Sequence, residues 1–185
     1  MNEKSAKEKL KEKEDETIER AELLYKYQVA QYESSIASIR RLEDKATKTF
    51  GVVSIIITTV LLIVRFWWKD IFEGDHIPLQ VICRFSLSAL LVFVMIAWGF
   101  TFSAMQTQDF EKPSSSHEMT DFFLKNKRYV SLTHAANRYS EFTDMVDRLH
   151  AEKAKLVNNC SEAMLFGAWA FAVFLLSFLA LKLSV

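Results

Sequence analysis

The chain has few of the residues that interrupt helices, with four Gly and two Pro among 185 residues. So few breakers favour long, continuous helices. Cysteine is also scarce: Cys83 begins one apolar segment and Cys160 precedes another, and neither lies in a CxxC pattern or beside a histidine cluster. Two such cysteines exclude a disulfide scaffold. We interpret both as ordinary thiols.

Neither sign of charge is in excess, because 23 Lys and Arg balance 23 Asp and Glu. A chain without a basic surplus lacks the electrostatic footprint of a nucleic-acid binder, so no direct nucleic-acid binding is expected. The first 48 residues are charged and contain no apolar core region, so no signal peptide is expected either.

The apolar residues, 50% of the chain, are concentrated in blocks. Three blocks, at 50–68, 79–105 and 163–181, approach or exceed the roughly 20 residues that a helix needs to cross the hydrocarbon of a bilayer. They predict an all-α integral membrane protein with about three transmembrane helices and long amphipathic cytoplasmic helices.

The polar segments divide the chain into four parts. We predict a charged cytoplasmic heptad helix over 1–48, a two-span membrane hairpin over 49–105, a cytoplasmic helical segment over 106–162 and a third transmembrane helix over 163–185. Basic residues favour the cytoplasmic side of a membrane. Residues 1–48 hold eleven Lys or Arg and 106–162 hold eight, whereas the loop 69–78 holds one Lys and three acids. The amino terminus is therefore expected in the cytoplasm and this loop outside.

Apolar and aromatic residues repeat at steps of seven in both cytoplasmic segments, as they do in helices that pack along their length. The first set is Ile18, Tyr25, Tyr32, Ile39 and Ala46. The second segment has two sets, Leu132, Tyr139 and Val146, and Ala135, Phe142, Leu149 and Leu156. The first face is expected to pack on the chain's own second cytoplasmic helix, and self-association in an oligomer through the same face is compatible with the pattern.

Two places in the second cytoplasmic segment have the composition of helix ends. Pro113 to Ser116 should break the helix that leaves the membrane and permit hinge motion, and Ser115 with Glu118 has the spacing of a capping box. Asn159 and Glu162 have the same spacing and predict a hinge before the third span.

Polar residues inside the apolar blocks are candidate pore residues. Arg65 and Arg84 lie a few residues inside the outer ends of the first two spans, where an arginine either extends to the headgroups or faces water at a pore mouth. Ser54 and Thr58 form a weakly polar strip on the first span, and their hydroxyls either line a pore or bond back to helix carbonyls.

Small residues share one face of the third span, at Ala163, Gly167 and Ala170. Such a face permits close helix approach, within one subunit or between subunits of an oligomer. Three spans cannot enclose an aqueous pore, so a conducting path would need several copies.

The stretch "RYVSLTH" places Arg128 six residues before His134, a spacing that helical ribonucleases use for their catalytic pair. Six residues at about 100° each place the two side chains roughly 120° apart on a helix, so they do not converge within one chain. We interpret them as a solvated or interface pair and expect no enzyme. The sequence shows no metal-ligand spacing and indicates no cofactor.

The heptad helix followed by a two-span hairpin and another cytoplasmic helix resembles the small membrane effectors of bacterial antiphage systems. The architecture is similar to the SLATT-type effectors and to the accessory membrane proteins of type VI-B CRISPR loci, a family described as divergent ribonuclease-like proteins, to which "RYVSLTH" adds a degenerate motif. The resemblance implies a homo-oligomeric pore in the bacterial inner membrane that depolarises the cell, with a functional link to a CRISPR ribonuclease. The alternatives are a non-conducting membrane adaptor that recruits a partner through its coiled coil and a membrane-tethered ribonuclease-like protein.

Overall fold

The described residues of the computed structural model, 3–73, 78–106 and 117–183, contain helix and no strand. Side chains are described from residue 7 onward. The helices in these ranges are α1 (Glu3–Phe66), α2 (Trp68–Phe72), α3 (Pro78–Met105), α4 (His117–Lys125) and α5 (Arg128–Leu183). The prediction of an all-helical chain is thereby confirmed for these residues.

Three of the helices, α1, α3 and α5, are long and apolar enough to cross a membrane. Helix α1 runs for 64 residues without interruption, as expected from the absence of Gly and Pro before Gly51. It therefore continues from the charged heptad segment directly into the first apolar block.

The structure differs from the sequence-based expectation at two helix ends. The predicted hinge at Asn159 and Glu162 is wrong, because α5 is continuous through it for 56 residues. The Asn158 side-chain amide donates to the Glu162 carboxylate at 3.0 Å, an i, i+4 contact that stabilises helix at this point. The first residues of the expected outer loop 69–78 are helical, because they belong to α2, which ends at Phe72. The predicted break at 113–116 and the cap at Ser115 lie outside the described residues.

The chain divides into two compact units. The first unit, Met1–Arg40 with Gln108–Ala151, contains the polar part of α1, helix α4 and the polar part of α5. The second unit, Arg41–Thr107 with Glu152–Val185, contains the apolar parts of α1 and α5 with α2 and α3. The units divide after Arg40 and after Ala151. Both positions lie inside the predicted polar segments, before the predicted starts of the first and third spans at 49 and 163.

The core of the second unit follows the heptad spacing of three helices that pack side by side. On α1 the step of seven continues from Ile39 of the first unit into the second, and the residues at these steps, Ile39, Ala46, Val53 and Val60, are at most 3% exposed. On α5 the corresponding buried row begins with Val146 of the first unit and continues in the second unit with Lys153, Cys160, Gly167, Phe174 and Leu181. We call these the α1 row and the α5 row.

Candidate functional site

The most unusual residue of the α5 row is Lys153, whose side chain is 4% exposed. A lysine at one position of an otherwise apolar heptad row costs stability and specifies how the helices pair. Its side chain must be fully paired, because an ammonium group without partners is expensive to bury.

Two partners surround the Lys153 ammonium group. It forms a short ion pair with the carboxylate of Glu43, a residue of α1 that is 28% exposed. It also donates to the backbone carbonyl of Gln106 at 3.0 Å, directly after the end of α3. A cation at this place compensates the carbonyl groups that a helix leaves unpaired at its carboxyl end. Lys153 therefore joins three helices through one charged group.

Small side chains allow the three helices to approach closely beside this charged group. Ala46 of α1 and Ala104 of α3 are at most 1% exposed and pack with Val157 of α5. This apolar layer lies one turn from Lys153 along α5 and covers one side of the charged site. The Lys153, Glu43 and Gln106 arrangement is called the charged junction below.

Sequence reasoning missed the charged junction, although a signal was present. The step of seven that joins Tyr139 to Val146 falls next on Lys153. A charged residue at this step was a candidate for burial, but its partner Glu43 is 110 residues away in sequence. Only the pairing of α1 with α5 identifies it.

Arg84 takes part in a second polar cluster, at the opposite end of α3. Its guanidinium group donates to the carbonyl oxygens of Ile71 and Phe72, both at 2.8 Å, and lies 5.8 Å from the Phe72 ring centroid. Gln80, one turn earlier on α3, donates to the carbonyl of Glu73 at 3.0 Å. These two side chains therefore donate hydrogen bonds to the backbone carbonyl groups that the short helix α2 leaves unpaired at its carboxyl end. The structure thus gives Arg84 partners within its own chain.

The carboxyl end of α5 is also tied to α2. Lys182 forms an ion pair with Asp70 at 2.7 Å, with both side chains partly exposed. The ring centroid of Trp67 lies 5.3 Å from that of Phe178. Helix α2 is therefore held to both α3 and α5.

The remaining candidate pore residues lie on one face of α1. Thr47, Ser54, Thr58 and Arg65 are within about 40° of one another around the helix axis at 100° per residue. Ser54 is half-buried and the other three are exposed. Gly51 lies on the same side of α1, and a Cβ atom added to it would have no neighbouring atom within 4 Å in the described structure. We call Thr47, Gly51, Ser54, Thr58 and Arg65 the polar strip.

The hydroxyl groups of the polar strip donate to carbonyls of their own helix. Ser54 donates to Phe50 at 2.9 Å and Thr58 donates to Ser54 at 3.0 Å. Each hydroxyl oxygen can still accept a hydrogen bond from water. The strip is thus compatible with an apolar environment and with a wet one.

The small face of the third span lies inside the subunit. Ala163 and Ala170 belong to the buried core, and a side chain at Gly167 would meet Phe93 and Val94 of α3 at 3.7 Å. In the described structure this face therefore serves the packing of α5 on α3.

The aromatic residues of the first heptad set pack against α5 in the first unit. The Tyr139 ring lies edge-on to Tyr25 and Tyr32, at centroid distances of 5.8 and 5.6 Å. Burial raises the pKa of the Tyr139 hydroxyl above its ordinary value of 10.0, and the neighbouring Tyr25 raises this pKa further. Ile18 is half-buried. The expectation that this face packs on the chain's own second polar helix matches these contacts.

Arg128 and His134 contact different helices. The Arg128 guanidinium group pairs with Glu22 of α1 at 2.5 Å, whereas the His134 ring lies 4.6 Å from the Phe122 ring of α4. The structure does not bring the two side chains together. Across the described ranges no group of three His, Cys, Asp or Glu side chains is arranged to hold a metal ion.

Compared with protein-family models, with curated proteins and with solved structures, the chain matches none of them. The functional argument therefore depends on the residues and their geometry.

Proposed function

We propose that the chain is a homo-oligomeric effector of the bacterial inner membrane, whose spans assemble into an ion-conducting pore that depolarises the cell. In this proposal the amino terminus and α4 face the cytoplasm and α1, α3 and α5 cross the bilayer. The antiviral role and the link to a CRISPR ribonuclease belong to the proposal through the resemblance in architecture alone.

The observation that carries the pore is the exposure of the polar strip. Of the most apolar stretch of α1, 11% is buried, compared with 33% for α3 and 28% for α5. A span that its own subunit covers so little presents its surface to lipid or to other copies. The strip concentrates hydroxyl groups, a glycine and an arginine on that surface, which is the composition of a surface that can face water.

Several copies are needed for conduction. The described interior of the second unit is a continuous apolar cluster that includes Val60, Leu90 and Phe174, so one subunit offers no wet path through this core. Copies arranged with their polar strips inward would enclose a path lined by Thr58 and Ser54, with Arg65 at one mouth.

The continuity of α1 and α5 supports control of this pore by the cytoplasmic helices. Each helix runs without a break from the polar segment into the apolar one, and an uninterrupted helix transmits rotation or displacement along its axis. The charged junction fixes the register of the two helices where they enter the apolar part. We assign it the role of holding the resting arrangement.

The test is the membrane potential of bacteria that express the chain, measured with a voltage-sensitive dye, and the conductance of the purified protein in a planar bilayer. Thr58→Leu should make the path a hydrophobic constriction and reduce the current at least tenfold, because apolar narrow pores lose their water. Thr59→Leu is the matched control, since Thr59 also bonds back to its own helix, at 2.9 Å, but points about 100° away. Equal currents in wild type and Thr58→Leu would contradict the assigned lining.

A non-conducting adaptor is the second candidate, and exposed apolar residues on the polar part of α1 favour it. Leu23 is 70% exposed and Tyr27 is 58% exposed, one helical turn apart, so they could contact a partner. The absence of any current from correctly inserted wild-type protein would favour this function over the pore.

A further inference from the structure

A groove in the second unit lies between α1 and α5, with α3 as its floor. Its volume is about 320 Å³. Ile55 and Thr59 form the α1 wall, Ala168 and Phe171 the α5 wall, and Val94 contributes to the floor. Ile55, Thr59 and Ala168 are exposed while Val94 is buried, so the groove opens to the surroundings of the bundle.

The chemistry of the groove excludes water as a stable occupant. Among the described residues that line it, the one polar side-chain group is the hydroxyl of Thr59, which already donates to the Ile55 carbonyl at 2.9 Å. An ordered water molecule needs two or more polar partners. At the depth of a membrane span the occupant must be apolar, and it is either lipid or protein.

The dimensions of the groove favour lipid. From Val53 to Ile63 it extends over eleven residues of α1, or about 15 Å at the helical rise. A second helix about 10 Å in diameter would need about 1,200 Å³ over this length. A single hydrocarbon chain, about one carbon contact distance of 4 Å across, needs roughly 200 Å³. The groove therefore holds an extended acyl chain along its whole length, whereas a second helix could insert only its side chains.

A basic residue lies on α1 beyond one end of the groove. Lys48 is exposed and precedes Ile55 by seven residues, so that it lies within about 20° of Ile55 and of Thr59 around the helix axis. It is five residues, about 7.5 Å, before Val53, at the boundary between the polar and apolar parts of α1. A lysine at this height can reach a lipid phosphate from its flexible stem.

We propose that this groove binds one acyl chain of an anionic phospholipid from the leaflet on the amino-terminal side of the first span, with the phosphate at Lys48. This inference rests on the membrane insertion that the proposed function includes and is independent of conduction. The bound chain completes the wall between α1 and α5 and contacts the floor formed by α3.

The experiment counts the phospholipids that the purified full-length protein retains, by native mass spectrometry from a mild detergent after incubation with equal amounts of phosphatidylcholine and phosphatidylglycerol. One phospholipid per chain, predominantly phosphatidylglycerol, is the expected result for wild type. Ala168→Phe and Thr59→Phe fill the groove from its two walls, and each should reduce retention at least fivefold. Ala180→Phe is the control, because Ala180 is exposed on the same helix but does not line the groove.

Lys48→Gln should keep the lipid and lose the preference for phosphatidylglycerol, while Lys48→Arg should keep both. Helicity by circular dichroism and recovery from the membrane fraction show whether each variant is folded and inserted, and a wild-type chain absent from membranes would overturn insertion and with it the proposed function. Full retention in folded Ala168→Phe and Thr59→Phe would overturn the lipid site alone. A change of oligomer size in these variants with an unchanged lipid count would overturn it in favour of a protein occupant.

Discussion

At the scale of single residues, the burial of Lys153 has a large energetic cost that its partners must offset. Removing an ammonium group from water costs several kcal/mol, and the cost is recovered only when every donor has a good partner. Lys153 has a carboxylate and a helix-terminal carbonyl as partners. Replacing both charges of such a pair is often nearly neutral, whereas removing one leaves the other without compensation.

Lys153→Met keeps most of the side-chain volume but leaves Glu43 and the Gln106 carbonyl without their cation. We expect it to lower the free energy of unfolding by about 1–3 kcal/mol. The double variant Lys153→Met, Glu43→Met should recover part of this loss, because no charge then remains unpaired. Thermal unfolding in detergent micelles measures both effects.

Lys155→Met is the control for this prediction, since Lys155 is exposed two residues further along α5. It should change the free energy of unfolding by about 0.5 kcal/mol or less. If Lys153→Met were as stable as Lys155→Met, the charged junction would have no role in holding the helices.

At the scale of secondary-structure elements, α2 shows how a very short helix is stabilised. Five residues are too few for a helix to form by itself in water. Side chains of α3 supply donors to its terminal carbonyls, and Lys182 pairs with Asp70 at its start. Its order therefore depends on neighbouring helices more than on its own sequence.

Arg84→Gln should loosen α2 by removing the donors to the Ile71 and Phe72 carbonyls. We expect the backbone amides of Ile71 and Glu73, which donate to Trp67 and Lys69 at 3.0 and 2.8 Å, to exchange with deuterium about tenfold faster. Hydrogen exchange followed by mass spectrometry measures this rate. Arg65→Gln, which removes an exposed arginine near the end of α1, should leave it unchanged, and equal rates in both variants would show that Arg84 does not stabilise α2.

At the scale of the whole molecule, the unequal distribution of basic residues predicts the orientation in the membrane. Within the second unit α1 and α5 run in the same direction, because Glu43 of α1 pairs with Lys153, and Asp70, which follows α1 in the chain, pairs with Lys182 near the end of α5. If these helices cross a bilayer as proposed, with α3 running in the opposite direction, we predict that both long polar segments lie on one side of it. We predict that the short connection between α1 and α3 lies on the other side.

Single cysteines test this orientation in a chain whose native Cys83 and Cys160 are replaced by alanine. A membrane-impermeant maleimide added to intact cells should label a cysteine at Lys69 and should not label one at Glu19 or Glu141. All three positions are exposed, so permeabilised cells should label all of them equally. Labelling of Glu19→Cys in intact cells would place the amino terminus outside.

The amino-acid sequence by itself determined the helical class, the three apolar helices and the packing faces of α1 and α5, because heptad spacing and the scarcity of Gly and Pro are local properties. The sequence could not determine which of the capping patterns actually end a helix. The spacing of Asn159 and Glu162 is typical of a cap, yet Asn158 and Glu162 make an i, i+4 pair inside α5.

Only the tertiary structure decided the partners of the charged residues. Glu43 meets Lys153, and Arg84 meets the end of α2, because separate helices pack in one register. The groove beside Ala168 likewise exists only because α1, α3 and α5 pack together. Pairing across more than 100 residues depends on this packing, and a periodic pattern within one helix carries no information about it.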